Sequence, residues 1–236
     1  MNKIYILIPS RIGSTRLPRK PLIKINGKSL IQRAYENAKS ITDNVYVATD
    51  SKEIQENLSN MTNNVIMTSS DHISGTDRIF EAASYLGIKD QDLIINMQGD
   101  EPFIPNEAIK QLIIDFEKNN CDVITLSNKL ESKSDLLNPN CVKVNIDKDN
   151  YALDFYRLNE NQNLKRHIGV YGYLFGTLEK LVSLEPTKRE IDNRLEQLRF
   201  LDNKYTIFVS KYNKQILHGI DTEEDVIKAQ NYLEND

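Results

Sequence analysis

The chain has few of the residues from which metal centres and disulfide scaffolds are built. It carries two cysteines, Cys121 and Cys141, and three histidines in 236 residues. Their spacing matches no zinc motif, which argues against a His/Cys metal enzyme. Two thiols without a framework fit a reducing compartment, where they fill core space. No apolar run approaches the roughly 20 residues needed to cross a bilayer, and Met1-Asn2-Lys3 runs straight into a strand rather than into the apolar region of a signal peptide. A cytoplasmic protein with no membrane partner is expected. A net charge of −4 argues against a general nucleic-acid binder. The spacing G-x-x-x-x-G-K-[ST] is absent, which argues against a P-loop kinase or ATPase.

The most telling absence is local. The first 35 residues hold no carboxylate, yet eight bases stand among them: Lys3, Arg11, Arg16, Arg19, Lys20, Lys24, Lys28 and Arg33. The charge is densest after the apolar run Ile4–Ile8, in Pro9–Pro21, where bases, hydroxyls, Gly13 and three prolines mix. Guanidinium forks grip phosphate oxygens in pairs and an ammonium adds a mobile point charge, so Arg11, Arg16 and Lys20 are candidates to clamp a triphosphate. A solvated basic face is the plainer reading. The interleaved Gly13, Ser14 and Thr15, with no acid nearby to neutralise the cluster, favour a small anionic ligand.

Short β-branched runs alternate with helical stretches through the first half: Ile4–Ile8, a helix near Leu30–Lys39, Val45–Ala48, a helix near Glu53–Leu58, Val65–Met67, a helix near Thr76–Leu86, and Leu93–Met97. That alternation predicts parallel strands joined by crossover helices. Asn26-Gly27 predicts a tight turn, and Pro105 sits where the start of a helix over Glu107–Lys118 tolerates it. The second half predicts an antiparallel hairpin of Val142–Ile146 with Tyr151–Phe155, a mobile loop over Leu158–Asn163 and a strand over Ile168–Phe175. A helix over Arg189–Leu201, a strand at Thr206–Val209 and a C-terminal helix capped by Thr222 follow. The expectation is one α/β domain over residues 1–236, a mixed, mainly parallel sheet sandwiched by helices, with antiparallel additions.

Ligands of open α/β sheets bind beyond the carboxyl ends of the strands. Pro9–Pro21, Ser69–Arg78 and Gln98–Pro102 all lie at such ends, and one pocket can use all three. Asp100 is placed to hold Mg²⁺ against nucleotide phosphates, or equally to cap the next helix. Asp221 is a second candidate with a similar capping alternative. Ser74, Gly75 and Thr76 suit close approach by a base or ribose, or simple helix capping. His167, Gly169 and Tyr171 share a strand face; an exposed His167 at the strand's start and a packed aromatic strand are equal readings. Glu196 and Gln197 read as surface polars.

Ile8–Arg11, Ser14–Pro18 with Lys20-Pro21, Val47–Asp50, Ser74–Arg78, Asn96–Pro102, His167–Tyr173, Leu195–Arg199 and Asp221-Thr222, taken together and in this order, resemble the 3-deoxy-D-manno-octulosonate (Kdo) cytidylyltransferases along nearly the whole chain. The resemblance implies a GT-A-like nucleotidyltransferase sandwich with an antiparallel subregion, near residues 138–175, for sugar binding and dimerisation. It implies a homodimer that joins CTP to Kdo with Mg²⁺, giving CMP-Kdo and pyrophosphate for lipopolysaccharide biosynthesis. By position, Arg11, Arg16 and Lys20 would hold the triphosphate, with Pro9, Ser10, Ser14, Thr15 and Gly75 around the nucleotide. Ser74 and Gln98 would contact the cytidine, and Asp100 and Asp221 would bind Mg²⁺. Arg157, His167, Tyr171, Glu196 and Gln197 would contact the sugar. Arg11, Lys20, Asp100 and Asp221 form the implied catalytic set; no protein base is assigned, since a metal near the sugar hydroxyl lowers its pKa.

The chain departs from the family in three places. Arg19 stands where glycine is common, Tyr156 where serine precedes the sugar-side arginine, and the segment from Arg157 to His167 is short. Arg19 costs more if its backbone needs positive φ, but adds a charge for the phosphates. The altered segment leaves a related sugar acid, such as 8-amino-Kdo, as the alternative substrate. A catalytically silent nucleotide-binding protein on the same fold is the alternative from another class.

Overall fold

The computed structural model describes residues 2–13, 16–159, 161 and 163–234. It divides into two compact units, Met1–Asn106 with Ile216–Asp236, and Glu107–Gln215. In the first, the chain runs β1 (Ile4–Ser10), β2 (Lys24–Ile25), β3 (Lys28–Ser29), α1 (Leu30–Lys39), β4 (Val45–Thr49), α2 (Lys52–Leu58), β5 (Val65–Met67), α3 (Gly75–Tyr85) and β6 (Leu93–Asn96). β6, β1, β4 and β5 lie side by side in that order and all run parallel, with Ile4 opposite Leu93 and Ile6 opposite Val45. Strands covered on both faces read as unbroken apolar runs, and Ile6, Leu7, Ile8, Ile94 and Ile95 are fully buried. The alternation predicted from sequence is therefore the parallel, helix-connected sheet that forms.

Local chemistry sets the element ends. α1 opens on a capping box, in which Ser29 Oγ accepts the Gln32 N–H at 3.3 Å and Gln32 Oε1 accepts the Ser29 N–H at 2.9 Å. Asn26 and Gly27 join β2 to β3 with φ of 44° and 79°, the left-handed pair that suits a two-residue hairpin.

The chain continues through α4 (Asn106–Lys118), β7 (Val123–Asn128), α5 (Ser134–Leu137), β8 (Lys143–Ile146), β9 (Ala152–Tyr156), β10 (Lys165–Leu174), α6 (Phe175–Val182), α7 (Lys188–Asn193), α8 (Gln197–Asp202) and β11 (Ile207–Lys211). The last helix, α9 (Glu223–Glu234), belongs to the first unit. In the second unit β11 pairs parallel with β7, whereas β7–β10, β10–β8 and β8–β9 are antiparallel. The predicted hairpin is β8–β9. Of the predicted loop Leu158–Asn163, Glu160 and Gln162 lie outside the described residues. The helix expected over Arg189–Leu201 is instead two, because Arg194 takes φ 53° and ends α7. Sequence reasoning also passed over β7 and α6.

Cys141 is buried as expected, Cys121 only half so. Burial pushes both thiols up to about 11, which keeps them inert. Lys143 is fully buried on β8, its ammonium donating to the Asn138 carbonyl at 2.9 Å and the Arg157 carbonyl at 2.6 Å. Among the described residues no helix is long and apolar enough to cross a membrane.

Candidate active site

At the carboxyl ends of β1 and β6 the first unit opens into a cavity of about 410 Å³. Its walls come from the three segments singled out in the sequence, joined by Asp221. Pro9, Ser10, Arg11, Arg16 and Lys20 line it from the β1 side; Ser74, Gly75, Gln98 and Asp100 line it from the other two segments. Ser14 and Thr15 lie outside the described residues.

The basic loop is anchored from below by Leu17, which packs with Ile25, Leu30, Ile220 and Ala229. Lys20 donates its N–H to the Leu17 carbonyl at 3.2 Å and starts a 3-10 turn over Lys20–Leu22. This turn presents the Lys20 ammonium to two carboxylates. Nζ lies 2.6 Å from Asp100 Oδ2 and 2.9 Å from Asp221 Oδ1, and Arg16 reaches the same Asp221 oxygen at 3.1 Å. Burial alone would lower the Lys20 pKa, but the two carboxylates outweigh it and raise it. The acids that neutralise this cluster come from far along the chain, which corrects the expectation that it had none.

Main-chain bonds set the two aspartates side by side. The Ile220 N–H donates to the Asp100 carbonyl at 2.9 Å, and Asp225 Oδ2 accepts the N–H groups of Asp221 at 3.1 Å and Thr222 at 2.9 Å. Asp225, which sequence reasoning missed, thus fixes the approach of Asp221. Arg19 pairs with Glu53 instead of adding charge to the cavity, and its φ is 55°. Its backbone does need the left-handed conformation that glycine adopts freely.

Two carboxylates that already share one cationic nitrogen fit a small hard divalent cation, whose remaining positions go to phosphate oxygens and water. Among the described residues no group of three or more His, Cys, Asp or Glu side chains could hold a metal alone. A metal seated here would therefore depend on the substrate to complete its shell.

On the opposite wall Ser74 does cap α3: its Oγ accepts the Asp77 N–H at 3.1 Å, and Asp77 Oδ2 accepts the Ser74 N–H at 3.3 Å. Capping and lining the cavity are compatible. A Cβ on Gly75 would stand 3.2 Å from Pro9 Cγ and 3.5 Å from Gln98 Oε1, so glycine lets the helix start this close. Sequence reasoning overlooked Arg78, which also lines the cavity. It is buried and donates to Asp50 Oδ2 at 2.8 Å and Thr68 Oγ1 at 2.7 Å, tying α3 to the segments after β4 and β5. Its presence in the same short motif as Ser74 and Gly75 was the available signal.

The five residues assigned to the sugar all lie in the second unit. His167 is buried rather than accessible: its ring nitrogen Nε2 is 2.9 Å from Thr125 Oγ1 on β7, and Phe155 of β9 meets the ring edge-on at 5.0 Å. Burial pushes its pKa down to about 3, so the ring is neutral. Tyr171 packs on it at 5.5 Å. Gln197 is buried at the start of α8, not a surface polar as expected, with Glu196 at the cap position before it. Arg157 donates to the carbonyls of Pro139, Asn193 and Arg194 at 2.9, 2.7 and 2.9 Å, which brings it to the connection that leads into Glu196.

The sequence model of the cytidylyltransferase family matches residues 5–212. The chain is 44% identical to a 3-deoxy-manno-octulosonate cytidylyltransferase of Francisella philomiragia, covering 98% of each. It is 39% identical to 3-deoxy-manno-octulosonate cytidylyltransferase 2 of Actinobacillus pleuropneumoniae, covering 99% of each. Among solved structures, CMP:2-keto-3-deoxy-manno-octonic acid synthetase complexed with CTP superposes with a TM-score of 0.90 at 32% identity over 99% of both chains. The expected α/β nucleotidyltransferase fold is thereby shown, and the chain belongs to the 3-deoxy-manno-octulosonate cytidylyltransferase family.

Proposed function

We propose that the protein joins CTP to Kdo, releasing pyrophosphate and giving CMP-Kdo for lipopolysaccharide biosynthesis in the cytoplasm. The observation that carries this is the Lys20 ammonium held between Asp100 and Asp221 in a cavity that Arg11 and Arg16 also line. Arg11, Arg16 and Lys20 bind the triphosphate and screen its oxygens, so that the anionic sugar can bring its anomeric hydroxyl to the α-phosphorus. Ser74, Gly75 and Gln98 orient the nucleoside, with Pro9 and Ser10 beneath. Asp100 and Asp221 hold Mg²⁺, which supplies charge neutralisation and lowers the pKa of a nearby hydroxyl. Released from the two carboxylates, Lys20 would give its donors to phosphate oxygens. Arg157, His167, Tyr171, Glu196 and Gln197 serve the sugar; His167, being neutral, takes part as a hydrogen-bonding group and not as a cation.

The whole chain acts as one nucleotidyltransferase domain and works as a homodimer through the subregion near 138–175. Leu137, Leu153 and Leu158 are each more than half exposed in or beside that segment, apolar surface of the kind a second copy covers. The test is pyrophosphate release with Mg²⁺, comparing CTP with UTP and ATP, and Kdo with 8-amino-Kdo and sialic acid. Release with CTP and Kdo is expected. Release only with another sugar keeps the chemistry and moves the substrate, and no release leaves a silent nucleotide binder.

A further inference from the structure

Asn96, the last residue of β6, is 1% exposed, and its buried Nδ2 has no hydrogen-bond partner among the described residues. Its Oδ1 accepts a hydrogen bond from Gln98 Nε2 at 3.1 Å. This is the single hydrogen bond of the Gln98 side chain among the described residues, and it uses the donor end of the amide. The end left over is Oε1, which stands beside Gly75 at the cavity wall. An amide whose nitrogen is bound inward turns its oxygen outward, and that end favours an N–H or O–H over a carbonyl. An unpaired buried donor is a costly group that proteins rarely keep without a reason.

We propose that Asn96 is a positioning residue for nucleoside selection. It fixes the Gln98 amide with Oε1 toward the ligand, so that the cavity accepts a nucleoside bearing a hydrogen-bond donor there. Cytosine carries an amino group where uracil carries a carbonyl, and a ribose hydroxyl is the other donor a cytidine offers. Turning either amide alone breaks this bond and sets like ends together, oxygen against oxygen for Gln98 and NH₂ against NH₂ for Asn96, so only a joint turn reverses the pair. The inference rests on the reading that this cavity takes CTP.

The test measures kcat/KM for CTP, UTP and 2′-deoxyCTP, with Kdo and Mg²⁺, in the wild type, Asn96→Leu and Asn96→Asp. Leucine is close in size but accepts no hydrogen bond, and with it Gln98 is free to turn. If Oε1 reads the base, the CTP:UTP ratio falls by about tenfold or more; if it reads the ribose, the CTP:2′-deoxyCTP ratio falls instead. Asn96→Asp keeps an acceptor in place and holds whichever ratio the leucine variant loses. An equal loss on all three nucleotides, with both ratios unchanged, overturns the proposal, as does loss of the ratio in Asn96→Asp. Should Asn96→Leu fail to fold, Asn96→Ala takes its place under the same criteria. A wild type that does not use CTP at all refutes the functional reading rather than this one.

Discussion

Two groups of polar side chains, one in each unit, are treated in opposite ways. In the first, Lys20, Asp100 and Asp221 meet at a cavity wall with side chains 15, 36 and 28% exposed, so their pairing can be exchanged for phosphate and metal without stranding a charge. In the second, Lys143 and His167 are buried, with the Lys143 ammonium and the His167 Nε2 held by fixed protein groups. Charges that can change partners suit turnover, whereas buried polar groups keep the partners they have, because removing one leaves the other buried and unpaired.

The strongest way to break that contrast is Asp100→Asn. The ion pair it removes is part-exposed and worth little to stability, on the order of 1 kcal/mol or less. Turnover should fall by about a thousandfold, the scale of a lost electrostatic contact to developing charge. Thermal unfolding and pyrophosphate release check both halves. Undiminished CTP consumption would remove Asp100 from the metal site; a collapse of stability would mean that the cavity charges are architectural after all.

His167 tests the other side. An unfolded histidine takes up its proton near pH 6.5, while the folded one resists until about 3. Between those values the unfolded chain binds more protons, so stability fully present above pH 6.5 is lost as pH falls toward 3. The loss from this one group is about 2 kcal/mol at pH 5. His167→Gln should flatten the slope of stability against pH between 7 and 5 in denaturant titrations, whatever it does to the absolute value. An unchanged slope would mean that the ring is not sealed.

The same contrast explains what could be read from the sequence. The cavity was legible because it is built from contiguous segments at strand ends, where parallel-sheet topology fixes the location before any side chain is placed. Lys20, Asp100 and Asp221 were each found, but not their mutual pairing, which spans 80 and 201 positions. The burial of His167 was legible only as one of two readings, since it depends on β7 and β9 closing over a strand whose own pattern, with Gly169 and Gly172, is ambiguous. The break at Arg194 was hidden because nothing in an arginine announces a left-handed conformation. Asp225 was missed because an acid in the first turn of a helix is commonplace in itself, yet three hydrogen bonds from Asp221 and Thr222 converge on its Oδ2.

The smallest effect concerns strain in the backbone of the first unit. Arg19 sits at φ 55° just before the turn that carries Lys20, a conformation costing roughly 1–2 kcal/mol for a residue with a Cβ. Glycine removes that cost but gives back about 0.5–1 kcal/mol through the greater freedom of its unfolded state. The Arg19–Glu53 pair lost with it is exposed and contributes a few tenths of a kcal/mol. Arg19→Gly should therefore stabilise the protein by about 0.5 kcal/mol, a rise of roughly 1–2 °C in Tm for a chain of this size, with CTP turnover unchanged because the guanidinium points to Glu53 and not into the cavity. A drop in KM-limited CTP use would instead show that Arg19 leaves Glu53 for the phosphates when nucleotide binds, and the loop's charge would then be exchangeable along its whole length rather than at Arg16 and Lys20 alone.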